Sequence, residues 1–217
     1  PDPLRLETAA ELPGEPATGA RTTLNTAHPR PWGWKVWTYL WTKSLAAGAL
    51  AVAALVMLIL GDRGTLTTTV APFIAELFLL VTSVFLVWDL KQPKRFWFLL
   101  HPGRINKRSW LAIGGIFLGL GAGLGGLWFL LGIAATFGVS GLGTAFTVLA
   151  WLAIPISMMV AGYTAFLFGQ AEGRDLWQSP ALFWHLQAQM VMAGAGALLI
   201  LSLVWNPGEA AVRWMSW

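Results

Sequence analysis

Five long apolar stretches, near residues 38–60, 70–90, 110–136, 145–169 and 184–205, constrain this chain more than any other feature. Each reaches the ~20 residues that a helix needs to cross the hydrocarbon core of a bilayer. Inside that core no water is present to bond the backbone, so a single apolar segment satisfies its own N–H and C=O groups by forming helix. With 56% hydrophobic and 11% charged residues and a mean hydropathy of +0.63, the chain lies outside the range of soluble domains. The expected fold is an all-α integral membrane protein of about five transmembrane helices, the first four arranged as an up-down bundle. Residues 1–31, rich in proline, glycine, threonine and acids, read as an extended polar arm. Residues 32–205 form the bundle, and 206–217 a C-terminal tail.

What the chain lacks narrows its chemistry. It has no cysteine, so it supplies no thiolate for an iron–sulfur cluster. Its three histidines, His28, His101 and His185, are too few for the axial ligands of a di-haem cytochrome b. The expectation is a chain with neither haem nor iron–sulfur cluster of its own. Fourteen tryptophans suit a protein with broad lipid–water interfaces, where indole rings anchor. The partners expected are the lipid membrane and other subunits, not nucleic acid.

Five spans put the termini on opposite sides, here A for the N-terminal side and B for the other. Side A holds Arg5, Arg21, Arg30, Lys35, Lys91, Lys94, Arg95, Arg104, Lys107, Arg108 and Arg174, with Lys43 near that edge, whereas side B holds Arg63 and Arg213. The positive-inside rule makes side A cytoplasmic, in a prokaryotic cytoplasmic membrane. The same cluster, Lys91, Lys94, Arg95, Arg104, Lys107 and Arg108, is also a docking surface for an acidic partner, which would mislead the rule.

Polar residues in or near the spans are few enough to weigh singly. Lys43 lies a turn and a half into the first helix, on one face with Tyr39. It either bonds a buried acid or ligand carbonyl, or snorkels to the interface. Glu76, inside the second helix with Ser83 seven residues on, is a proton-relay candidate or a structural acid bonded to a neighbouring helix. Asp89 closes that helix at side A, where a carboxylate opposes the helix dipole and calls for a cationic or hydrogen-bonding partner. Tyr163, in the fourth helix with Gln170 roughly on its face, suits a hydrogen bond to a quinone carbonyl. The alternative is an interfacial belt tyrosine. His185, with Gln189 four residues on, opens the fifth helix and is positioned for proton exchange or for a structural role. These groups converge on the side A third of the bundle, where Trp37, Trp41, Phe96 and Trp177 are candidates to wall a flat head group. In the third helix, Gly115, Gly119 and Gly123 form a small-residue stripe expected to admit a close neighbour. The string Gly121-x-Gly123-x-x-Gly126 lacks the strand and βαβ context of a dinucleotide fingerprint and is read as packing.

Three segments together carry a family likeness. The first is WKVWTYLWTKS from Trp34 to Ser44, running into Ala46, Ala47 and Gly48. The second is DLKQPKRF from Asp89 to Phe96, followed by Asn106 and by Ser109 and Trp110 at the start of the next helix. The third is GYTAFL from Gly162 to Leu167, then DLWQSP from Asp175 to Pro180. Their order and spacing across 32–205 resemble the NrfD-like polysulfide reductase membrane-subunit family. The resemblance implies a haem-free, quinone-interacting anchor subunit. Its partners would be a ferredoxin-like iron–sulfur subunit and, through it, a molybdenum or tungsten catalytic subunit or multihaem cytochromes. It implies that a quinone, menaquinone or ubiquinone, lies in the first four-helix bundle and that the family's quinone-contacting tyrosine corresponds to Tyr163. Family members usually carry more spans, in two bundles, so this chain corresponds to the first bundle plus one helix.

The combined expectation is a membrane anchor of a multisubunit respiratory oxidoreductase. Tyr163, Lys43, Tyr39, Asp89, His185 and Gln170 would surround the quinone, and Glu76, Asp89 and Ser83 would carry protons. The competing reading is a non-redox structural anchor or a proton- or ion-conducting subunit. A small transporter would call for an internal repeat, and none is evident.

Overall fold

The computed structural model describes residues 33–89, 109–170, 178–205 and 215. Five helices are present in it: α1 (Trp34–Leu60), α2 (Ala71–Asp89), α3 (Trp110–Thr136), α4 (Gly143–Gly169) and α5 (Ala181–Ser202). A π-helical turn, Leu66–Val70, leads directly into α2. All five are long and apolar enough to cross a membrane, and the described residues contain no strand. At 1.5 Å per residue, the 27-residue helices α1, α3 and α4 are each ~40 Å long, enough to cross the apolar core and both interfaces. The helices belong to the compact unit Lys35–Trp217.

Residue pairs between helices set the directions. Thr42, early in α1, bonds Thr82, late in α2. Gly132, late in α3, lies against the Thr68 carbonyl of the π-turn, and Gly114, early in α3, lies against Tyr163, late in α4. Gly162 of α4 packs on Phe183 near the start of α5. Consecutive helices therefore run antiparallel.

Helix α1 is the central one. Every residue from Thr42 to Ala54 is buried, and α2, α4 and α5 each touch it, through Thr82, Thr164 and Gly194. Alanine and glycine make up much of this stretch, so neighbouring helices approach closely without large side chains between them. The other four helices bury one side and leave the rest exposed, with Leu80, Leu130, Trp151 and Met192 facing outward. In a bilayer those residues meet lipid, and the burial pattern is that of a helix ringed by its neighbours.

The ends of the helices follow ordinary capping chemistry. Gly61, at φ +68°, ends α1 and returns its N–H to Met57 O at 3.1 Å, the left-handed terminus glycine permits. Ser109 caps α3 by accepting from Ala112 N at 3.4 Å. Thr67 and Thr68 donate their hydroxyls to Gly64 O at 3.0 and 2.9 Å, tying the turn to the start of the π-segment. Pro155 lies inside α4, where its missing N–H leaves the Trp151 carbonyl without its helical donor.

The expected glycine stripe is corrected. Cβ atoms at Gly119 and Gly123 would meet nothing within 4 Å, and both residues are exposed. The glycines of α3 that admit neighbours are Gly114, Gly121, Gly125 and Gly132. Their spacings of seven, four and seven follow the helical period more closely than a bare four-residue repeat, which drifts off the contact.

Candidate functional site

The side A half of the bundle buries a polar cluster on α1, α2 and α4. Lys43 is fully buried, at 0% exposure, which overturns the snorkelling alternative. Its Nζ donates to Ala161 O at 2.7 Å and to Thr164 Oγ1 at 2.6 Å. The same nitrogen lies over the ring of Tyr163, 4.8 Å from its centroid. One turn earlier, on the same face of α1, Tyr39 is 4% exposed.

Tyr163 is itself fully buried. The Cδ2–Cε2 edge of its ring occupies a notch made by Gly114 of α3, where any Cβ would overlap it. Its hydroxyl has no hydrogen-bond partner among the described residues. A phenol out of reach of water and of an acceptor is costly to leave unmade. A belt tyrosine reaching toward headgroups does not fit that burial.

Beside this pair, Thr42 Oγ1 and Thr82 Oγ1 are 2.8 Å apart, and Thr82 Oγ1 also lies 2.7 Å from Phe78 O. Thr42 Oγ1 lies 3.2 Å from Tyr39 O as well; each hydroxyl has one proton, so one of the two donates across the helix pair while the other donates to its own helix. The sequence reading singled out Ser83, the residue at the right spacing from Glu76. The residue α2 buries completely is its neighbour Thr82, while Ser83 is half-buried. Thr164 was missed as well. Its signal was the need of an intramembrane lysine for oxygen acceptors, next to a tyrosine already under suspicion.

Other candidates lie apart from the buried cluster. Asp89, Gln170 and His185 are all exposed, at the side A ends of α2, α4 and α5. Trp37 and Trp41 point outward, 65% and 51% exposed, and do not wall the site. The aromatic residues at its level are instead Trp110 and Phe166, stacked at 4.3 Å between centroids, and Phe183, 5.7 Å from Phe166. On α5 the buried amide is Gln187, which donates to Met158 O at 3.1 Å; Gln189 is half-buried. Lys91, Lys94, Arg95, Phe96, His101, Arg104, Lys107, Arg108 and Trp177 lie outside the described residues.

Nearer side B, the Glu76 carboxylate presses on the backbone of Gly125, and its Oε1 is buried without a partner. Ser83 lies two turns along the same side of α2, but Asp89, thirteen positions from Glu76, falls well off that stripe at the 3.6-residue period. Trp128, one turn beyond Gly125, is fully buried with Nε1 unpartnered, an exception to the interfacial role of its exposed counterparts. An apolar crevice of ≈ 530 Å³ opens at the side B end, between Thr69, Phe73, Phe129, Ile133, Leu201 and Trp205. None of the unpartnered buried polar atoms of the described residues lies on its walls.

The fold and the buried lysine–tyrosine cluster define a polytopic, all-α membrane protein with a buried polar cluster set among helices near one face of the bilayer. The chain belongs to the NrfD family: the family model "Polysulphide reductase, NrfD" matches residues 22–212. Membrane subunits of polysulfide- and quinone-linked reductase complexes make up this family. No curated protein matches the chain significantly. Among the described residues no group of three or more His, Cys, Asp or Glu side chains is placed to hold a metal ion. The chain is consistent with a non-catalytic membrane subunit of a larger redox complex.

Proposed function

We propose that the chain is the haem-free quinone-binding anchor of a respiratory oxidoreductase and exchanges electrons with a partner iron–sulfur subunit. The observation that carries this reading is the Tyr163 hydroxyl, fully buried and unpartnered beside Lys43. The residues fit a quinone: a carbonyl oxygen accepts what the phenol has to donate, and the apolar walls of the helices suit an isoprenoid tail. When bound, a quinone supplies two-electron, two-proton chemistry that no side chain in this chain has. Tyr163 holds the head group by donating to one carbonyl. Tyr39, one turn from Lys43, lines the same region. Asp89 and His185, exposed at side A, exchange protons between the site and water, and Gln170, exposed at the same level, contributes an amide to the head-group surroundings. The basic segment with Lys91, Lys94, Arg95, Arg104, Lys107 and Arg108 docks the ferredoxin-like subunit, which in turn connects to a molybdenum or tungsten subunit. By the charge rule that face is cytoplasmic.

The test is direct. Quinone should co-extract with the purified complex, and Tyr163→Phe should weaken binding of decylubiquinone or menadione. A net hydrogen bond of ~0.5–1.5 kcal/mol corresponds to roughly two- to twelve-fold in affinity. A quinone-free extract together with unchanged analogue binding in Tyr163→Phe would overturn the assignment. A second reading, a proton- or ion-conducting subunit without quinone, is favoured by Glu76, an intramembrane acid with an unpartnered buried oxygen. Under that reading the wild-type complex binds neither analogue, and Glu76→Gln alone changes proton movement.

A further inference from the structure

Two polar side chains dominate the buried side A cluster, and only one of them is short of a partner. Lys43 Nζ is held by α4 through Ala161 O and Thr164 Oγ1 at 2.7 and 2.6 Å. Tyr163 Oη has nothing. The lysine nitrogen also lies over the tyrosine ring at 4.8 Å, within the ~6 Å over which a nitrogen donor is attracted to an aromatic face. The ring meets the backbone of Gly114 along one edge. The phenol is thus held by Lys43 over its ring and by Gly114 at its edge, with its hydroxyl left available.

We infer that Lys43 is a positioning residue: it fixes the orientation of the Tyr163 phenol and joins α1 to α4, and does not itself contact the ligand. A lysine meant to reach a ligand carbonyl would leave Nζ toward unfilled space. Here its bonds to a backbone carbonyl and a hydroxyl come from the helix that carries Tyr163, on residues two before and one after it. Losing the nitrogen frees the ring on one side and unties that segment of α4 from α1. The orientation of a phenol matters because a hydrogen bond weakens steeply once its angle falls below ~120°. This role rests on the quinone reading for its effect on binding, but its effect on Tyr163 itself does not.

The chain has two tyrosines, Tyr39 and Tyr163, so labelling tyrosine Cζ in this subunit alone, assembled with unlabelled partners, gives one resonance for each, and Tyr163→Phe assigns them. Lys43→Met keeps most of the stem while removing the nitrogen. It should shift the Tyr163 resonance in the absence of any ligand. Thr164→Val, which removes one acceptor at nearly constant shape, should move it in the same direction by less and serves if Lys43→Met does not assemble. In analogue titrations with decylubiquinone, Lys43→Met should lower affinity by roughly the two- to twelve-fold expected for Tyr163→Phe. Adding Lys43→Met to Tyr163→Phe should change it by less than about twofold, because the first residue acts through the second. Additive losses would mean that Lys43 contacts the ligand and would overturn the inference, as would unshifted Tyr163 resonances in both Lys43→Met and Thr164→Val. If the wild-type complex binds no analogue, the quinone reading fails, and the resonance shifts still decide the role of Lys43.

Discussion

Gly48 of α1 and Gly194 of α5 meet backbone to backbone. A Cβ on Gly48 would overlap Met190 O and sit 2.8 Å from Gly194 Cα, and one on Gly194 would overlap the backbone of Gly48. Neither neighbour is a flexible side chain that can give way. Gly48→Ala and Gly194→Ala should each destabilise the bundle by about 1–3 kcal/mol or more, the range for overpacking a filled core. Gly196→Ala, where nothing lies within 4 Å, should be neutral or stabilising by up to ~1 kcal/mol through helix propensity. Thermal unfolding in detergent, followed by circular dichroism, separates the two outcomes.

The same reasoning applied to α3 distinguishes two sets of glycines. Gly119→Ala and Gly123→Ala should leave the melting temperature unchanged or raise it, because both positions are open. Gly132→Ala should lower it, because its Cβ would overlap Thr68 O and lie 2.7 Å from Thr69 Oγ1.

Gly114→Ala is a test of the site more than of the fold. Its Cβ would overlap the ring of Tyr163, so the phenol must give up its orientation. The expected result is an assembled complex whose affinity for decylubiquinone falls by at least as much as in Tyr163→Phe. Unchanged affinity would mean that the position of the phenol does not matter for binding.

The Thr42–Thr82 bond, at 2.8 Å, joins α1 to α2 close to the site. Interhelical hydrogen bonds in membranes average ~0.6 kcal/mol and reach ~1.7. Thr42→Val and Thr82→Val should each cost about that much, and the double variant less than their sum, since removing both hydroxyls leaves neither unpartnered. A double-mutant cycle on unfolding free energy reads the coupling directly.

Glu76→Gln keeps the shape of the side chain against Gly125 and removes its ability to release a proton. If Glu76 serves proton transfer, proteoliposomes containing the variant should lose turnover-linked pH change, while analogue affinity at Tyr163 stays within about twofold. Wild-type proton movement in Glu76→Gln would make Glu76 a structural acid.

Much of the architecture was legible before any coordinates. Apolar runs of spanning length lack the polar residues needed to end a helix inside a bilayer, so the number of helices, their approximate bounds and their alternation followed directly. Tyr163 stood out because so few polar groups occur at that depth; the structure buries it fully and gives its hydroxyl no hydrogen-bond partner among the described residues. Lys43 was visible for the same reason, but its choice between interface and interior was not. Lysine reaches either way from its position, and the oxygens of α4 decided the matter. Thr42 and Thr164 drew no attention as site residues, because a threonine in a membrane helix ordinarily satisfies itself on its own backbone, and only a neighbouring helix gives it a further role.

Periodicity along one helix says which residues share a face, but not which face meets a neighbour. That is why Gly115, Gly119 and Gly123 looked like a packing stripe, whereas Gly114, Gly121, Gly125 and Gly132 carry the contacts. It is also why Ser83 was chosen over Thr82. Apolar runs of these lengths specify a five-helix membrane bundle, because the medium leaves such segments almost no alternative. The central place of α1, and the meeting of Lys43 with Tyr163, 120 positions apart, in one buried cluster, emerge from the packing of the helices. Those outcomes depend on the rotation of each helix about its own axis, which is set by the fit between helices.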